Sequence, residues 1–256
     1  MNYIYGWLFQ VEVVRGCIYD LSPRDRSQPP QNKMDIVFFH GLQVLSYKNA
    51  YKTTWISPTN SDLWPGMWLA QDFPEARVLS VSYNSVAIFS RVHLDYTATH
   101  LAHQLIVEAE VGKDGRTTIL VGHSLGGLVI KKICEEARRR SDEEGQEIFG
   151  TFLRSLRGVF FYATPHGGAP LAASIKRWLG WLIPFSPAMA LLASDLQTNV
   201  FMDISNRFNA ACQRYRWETR VLGEHLPTSF LVNPNQFFIY KFDCIVLKLQ
   251  MINLSH

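Results

Sequence analysis

Along the chain, short continuous apolar runs alternate with longer stretches whose apolar residues recur at helical spacing. That order predicts a mostly parallel sheet with helices on both faces. The first well-marked strand is Asp35-Ile-Val-Phe-Phe39, apolar without alternation, as expected where a strand is covered on both sides. Further strands are predicted at 77–83, 117–121, 158–162 and 218–222, and helices at 97–110 and 128–137. Residues 170–215 have helical composition broken by Pro184 and Pro187, which reads as a helical cap inserted into the sheet domain. Near the N-terminus, apolar residues at odd positions from Tyr3 to Val13 predict an opening strand, and a polar, proline-containing connector follows at 21–33. The expected organisation is therefore an N-terminal strand and connector over 1–32 and one α/β domain over 33–256, with an atypical tail at 230–256.

Composition narrows the function classes. A chain of 256 residues can form a single α/β domain, and 47% hydrophobic against 18% charged residues excludes a disordered chain. The formal charge of +3 makes no footprint for nucleic acid, since the dense basic cluster is confined to Arg138, Arg139 and Arg140. Cys17, Cys134, Cys212 and Cys244 lack CxxC spacing and read as reduced core thiols, with no metal site expected. Gln10, Glu12 and Arg15 interrupt the apolar N-terminus, which reads as neither a signal peptide nor a membrane span. Neither GxGxxG nor GxxxxGK[ST] is present, so no nucleotide cofactor is expected.

Chemistry concentrates at Gly122-His-Ser-Leu-Gly126, a GxSxG motif between the predicted strand 117–121 and the helix at 128–137. Such a turn holds a serine in a strained conformation at a helix N-terminus, where amides and dipole face a developing oxyanion. Ser124 is the candidate nucleophile. The second oxyanion amide is expected after an earlier strand, where His40-Gly41-Leu42 stands, so the Leu42 and Leu125 N–H groups are the candidate pair. His40, Gly41, His123, His166 and Gly167 are candidates for the substrate pocket. His166, in Thr164-Pro-His-Gly-Gly168, precedes the place of the acid and suits a hydrogen-bonding or loop-ordering role better than that of base.

Four segments together resemble the serine-active-site-containing (SERAC) family, a lipase-like branch of the α/β-hydrolases. They are Asp35 to Leu42, Trp64-Pro-x-x-Trp-Leu-Ala70 with Asp72-Phe-Pro74, Gly122-His-Ser-Leu-Gly-Gly-Leu-Val-Ile-Lys-Lys132 and Phe161-Tyr-Ala-Thr-Pro-His-Gly-Gly168. The resemblance covers about residues 33–230. It implies an α/β-hydrolase fold, Ser124 as nucleophile, and acyl-lipid chemistry at membranes of the mitochondrion and endoplasmic reticulum.

In this fold the acid and then the histidine follow the serine in chain order. Gly223-Glu224-His225-Leu-Pro-Thr228 resembles the family's Glu-x-Leu-Pro-Thr stretch, which makes Glu224 the candidate acid, with Asp243 as the substitute. The family's next histidine-bearing loop is not recognisable after about Ser229, so His256, the last residue, becomes the candidate base and the C-terminal end reads as incomplete. Two readings stay open. One is a serine hydrolase or acyltransferase acting on ester-linked lipid or phospholipid, with peripheral membrane association. The other is a noncatalytic or truncated hydrolase-fold protein that binds a lipid or a protein partner. The apolar run at 178–193 suits acyl chains or plain core packing equally.

Overall fold

The computed structural model describes residues 12–22, 33–43, 48–57, 62–85, 91–164, 166 and 198–222. Strands β1 (Glu12–Arg15) and β2 (Ile18–Asp20) form a hairpin, followed by β3 (Met34–Phe39), α1 (Ala50–Thr53) and a π turn (Pro65–Leu69) that runs into α2 (Ala70–Asp72). Then come β4 (Ala76–Val81), α3 (Arg91–His103) with a π turn (Gln104–Glu108), and β5 (Thr117–His123). The remainder is α4 (Leu125–Asp142), α5 (Glu147–Ser155), β6 (Leu156–Tyr162), α6 (Thr198–Tyr215) and β7 (Glu218–Leu222).

The described strands make one sheet in the order β1-β2-β4-β3-β5-β6-β7. From β4 to β7 every pairing is parallel, and β2 joins β4 antiparallel. A parallel sheet with an antiparallel start, whose central strand turns through a serine into a helix, is the α/β-hydrolase fold.

The strands read as continuous apolar runs because both faces are covered, yet their residues divide strictly by parity. Val37 and Phe39, Leu79 and Val81, Leu120, and Val159 and Phe161 pack with α3, α4, α5 and α6. Ile36 and Phe38, Val78, Ile119 and Val121, and Phe160 and Tyr162 face the other way, onto Trp55, Trp64, Leu69 and Phe73. Among the described residues the helices are therefore unequally shared: the second face is covered by short helical pieces and indole rings. Phe38 meets Trp55 and Trp64 edge-on, at 4.9 and 5.5 Å between centroids.

Below the sheet, at the N-terminal ends of its strands, buried Asp35 accepts hydrogen bonds from Arg77 Nε (2.7 Å), Arg116 Nε (3.1 Å) and the Gly112 N–H (2.8 Å). One carboxylate thus ties β3 to β4 and to the approach to β5, and its charge is compensated from both sides.

Several expectations change. The hairpin is part of the sheet, since Ile18 lies in the main core and the Leu21 N–H donates to Val78 O at 2.8 Å, while residues 1–11 of the expected opening strand and 23–32 of the connector lie outside the described residues. The helix expected from residue 97 starts at Arg91, and the helix expected from residue 128 starts at Leu125. Helix α5 was not expected. The last part of the predicted cap, 198–215, is α6, which lays Phe201, Ile204 and Phe208 into the main core as a layer of the sheet domain. Residues 170–197 and the tail 230–256 lie outside the described residues. Among the described residues, no helix is long and apolar enough to cross a membrane.

Candidate active site

Ser124 stands between β5 and α4 with φ 58° and ψ −124°. A side chain at positive φ is strained, and the strain persists only where the surroundings fix it. They do so here. The Ser124 N–H donates to Tyr162 O at 2.7 Å, the Gly127 N–H donates to Ser124 O at 3.1 Å, and α4 follows at once. The first amides of a helix have no intrahelical acceptor, so α4 presents the Leu125 N–H beside the serine. Ser124 itself is fully buried, and its Oγ has no hydrogen-bond partner among the described residues.

Two glycines explain how the backbone closes so tightly. A Cβ on Gly126 would strike Phe39 O and lie 2.7 Å from His40 O, so β3 could not pass under the helix start. A Cβ on Gly41 would lie 2.7 Å from Ser124 Cβ and 2.9 Å from Ser124 Oγ. The turn after β3 therefore approaches the serine as closely as backbone can, and only glycine leaves the space.

His40 sets the orientation of that turn. Its Nε2 accepts from the Tyr83 N–H (3.1 Å), so its proton sits on Nδ1 and is donated to Gly41 O (2.7 Å). The Tyr83 hydroxyl donates back to His40 O, and the two rings stack 4.2 Å apart. Burial is the main reason that the His40 pKa is lowered to about 4, with the bond to Gly41 acting the other way. A trans peptide carries its N–H opposite to its C=O, so holding Gly41 O against the His40 ring turns the Leu42 N–H away from it. The buried turn is continued by Gln43, whose N–H donates to Ser85 Oγ at 2.8 Å.

The other histidines fall elsewhere. His123 is 2% exposed and packs edge-on to Trp55, with centroids 6.4 Å apart. His166 is half-buried and meets the Lys131 ammonium through Nδ1 at 3.0 Å. Burial, followed by the Lys131 charge, lowers its pKa to about 4. The structure thus brings His40, Gly41, Leu42, His123, Ser124 and Leu125 together and links His166 to α4. Gly167, Glu224, Asp243 and His256 lie outside the described residues. Lys131 escaped the sequence reading, although it falls seven residues after Ser124 on the apolar stripe of α4, where a lysine is out of place.

No family model matches the chain. Among solved structures, similar ones include esterase B from Lactobacillus rhamnosis inhibited with a tributyrin phosphonate, at 15% identity and a TM-score of 0.43 over 92% of this chain and 78% of that one. Another is a hyperthermophilic esterase from Pyrobaculum calidifontis, at 13% identity and a TM-score of 0.44 over 93% and 79%. Among curated proteins, Protein SERAC1 of Bos taurus is 31% identical over 174 residues, and that of Danio rerio is 29% identical over 174. Each match covers 60% of this chain, and the chain spans about a quarter (25%) of the length of these relatives. Over the matched region, the chain is similar to the SERAC proteins.

Proposed function

We propose that the chain is a serine hydrolase or acyltransferase acting on ester-linked lipid. Ser124 Oγ attacks the ester carbonyl, a histidine takes its proton, and the Leu42 and Leu125 amides hold the oxyanion. Collapse expels the alcohol and leaves an acyl-serine, which water or a second alcohol then relieves. The observation that carries this reading is the Ser124 backbone at φ 58° and ψ −124° on the N-terminus of α4, with a buried Oγ. An unsatisfied buried hydroxyl costs about 1–3 kcal/mol, a debt that a catalytic histidine would remove. His40 is spent on Gly41 and Tyr83, and His166 on Lys131. The chain order of the fold, serine, acid, histidine, supports His256 as the base, with Glu224 orienting it. The resemblance to the SERAC family supports a phospholipid or other acyl-ester substrate and peripheral membrane association.

A second reading, binding of a lipid or a protein partner without turnover, is favoured by the lack of any histidine on Ser124 Oγ among the described residues. Turnover of short acyl esters and of a phospholipid by the purified chain separates the two. Hydrolase activity predicts turnover that Ser124→Ala lowers by about 10³-fold or more. Equal turnover by the variant would end the first reading.

A further inference from the structure

Helix α4 turns one stripe of residues toward the chain that leaves β6. Ser124, Gly127 and Lys131 stand at i, i+3 and i+7, on the same side of the helix. Each meets the departing chain in turn. The Ser124 N–H donates to Tyr162 O at 2.7 Å. The place where Gly127 would carry a Cβ is filled by the Thr164 side chain, and Thr164 Oγ1 donates to Gly122 O at 3.4 Å. Lys131 Nζ meets His166 Nδ1 at 3.0 Å. Between these contacts Ala163 is held at φ 47°, a strained value for a residue with a Cβ, with its N–H bonded to Leu222 O at 2.9 Å. The turn after β6 is thus fastened to the serine at one end and to a lysine at the other.

That lysine is unusual. It is 2% exposed, its ammonium also donates to Ser205 Oγ on α6 at 2.9 Å, and it lies 5.3 Å from the Phe161 ring centre and 5.9 Å from that of Phe208. Its titratable neighbours among the described residues are His166 and Cys212. Burying an ammonium without a carboxylate is costly, and burial lowers the Lys131 pKa to about 8. A methionine would fill the same space without that cost. What the ammonium adds is direction: it has donors only, so His166 Nδ1 must accept and the imidazole proton must sit on Nε2.

We propose that Lys131 is a positioning residue for Ser124, which acts through His166 by locking the imidazole as the Nε2–H tautomer and fixing Tyr162, Ala163 and Thr164 against the start of α4. This inference rests on the reading of Ser124 as nucleophile. Neither side chain needs to touch substrate.

Two readouts on the full chain test it: nitrogen-15 NMR of the histidine side chains, and the rate at which a fluorophosphonate labels Ser124. In the wild type, His166 is expected to keep a bare Nδ1 and a protonated Nε2 from about pH 5.5 to 7, below the pKa of Lys131. In Lys131→Met, the tautomers should mix and the imidazole pKa should rise from about 4, while burial, the larger cause, still holds it below the ordinary 6.5. Labelling should slow at least tenfold in Lys131→Met and in His166→Leu, with the double variant no slower than the slower single one. His166→Asn, whose Oδ1 can stand where Nδ1 stood, should recover most of the rate. A loop that matters only for stability would lower the melting temperature without changing the rate of folded protein and without rescue by Asn.

Wild-type labelling rates in folded Lys131→Met, or an unchanged His166 tautomer there, would overturn the proposal alone. If Lys131→Met does not fold, the His166 pair decides, and His166→Leu labelled at the wild-type rate would overturn it. No labelling of the wild type would remove the nucleophile and the positioning role together.

Discussion

Lowering the pH should destabilise the fold through His40, by an amount that its surroundings set. The ring is fully buried, neutral, and bonded at both nitrogens, with Nδ1 donating to Gly41 O and Nε2 accepting from Tyr83. Its pKa is lowered to about 4 from the ordinary 6.5, so the unfolded chain takes up a proton there before the folded chain does. The stability that the neutral ring contributes is fully present above pH 6.5 and is lost as pH falls toward 4. Between pH 7.5 and 4.5 the loss amounts to about 2–3 kcal/mol, at up to about 1.4 kcal/mol per pH unit. His40→Gln removes the titration. At pH 7.5 this variant should be less stable by about 1–3 kcal/mol, because Gly41 O and the Tyr83 N–H lose well-aligned partners. As the wild type loses its advantage, the gap should close by pH 4.5. Urea unfolding followed by tryptophan fluorescence at four pH values measures it, and His166, depressed in both proteins, cancels in the difference. A gap that stays constant from pH 7.5 to 4.5 would refute the argument that His40 is held neutral as a brace for the turn at Gly41.

Other substitutions separate the site from the scaffold. Gly126→Ala should cost about 3 kcal/mol or more in chemical denaturation, since its Cβ would meet backbone oxygens of β3 that no rotamer can move. Gly41→Ala should instead leave a folded protein whose Ser124 is labelled about 10²-fold more slowly, as the new methyl crowds Oγ. Asp35→Ala should destabilise by about 3 kcal/mol in the same denaturation assay by stranding Arg77 and Arg116, whereas an activity loss beyond the unfolded fraction would show that the network reaches the site. Arg154→Ala, which removes an ion pair between side chains 57% and 78% exposed, should change stability by no more than about 0.5 kcal/mol.

The parallel strands were legible because their apolar runs are dense and bounded by turn residues, and β7 falls on the residues predicted for it. The serine turn was legible for a different reason: its chemistry forces glycine at fixed spacing, and Gly122 and Gly126 record contacts that cannot be made otherwise. Helix α5 was equally written, in Phe149, Phe152 and Leu153 at helical spacing, but the charges before it look like a loop running on into the strand. The early start of α3 was hidden because its first turns are polar and leave Val92 and Tyr96 exposed, so no apolar stripe marks them. The role of Lys131 needed three dimensions. One of two adjacent lysines faces the core, and its partners His166 and Ser205 come from segments 35 and 74 residues away. Lys132, beside it, reaches Asp95 at 2.8 Å at the surface.

The central claim is that Ser124 is an activated nucleophile, and covalent labelling tests it without a guess at the natural lipid. The folded chain is treated with a fluorophosphonate, its intact mass is measured, and the adduct is mapped by peptide sequencing beside Ser124→Ala. The account predicts a single phosphonyl group on Ser124, absent from the variant and lost as well in His256→Ala. A cooperatively folded wild type that takes up no phosphonate, or one labelled equally after Ser124→Ala, would contradict it.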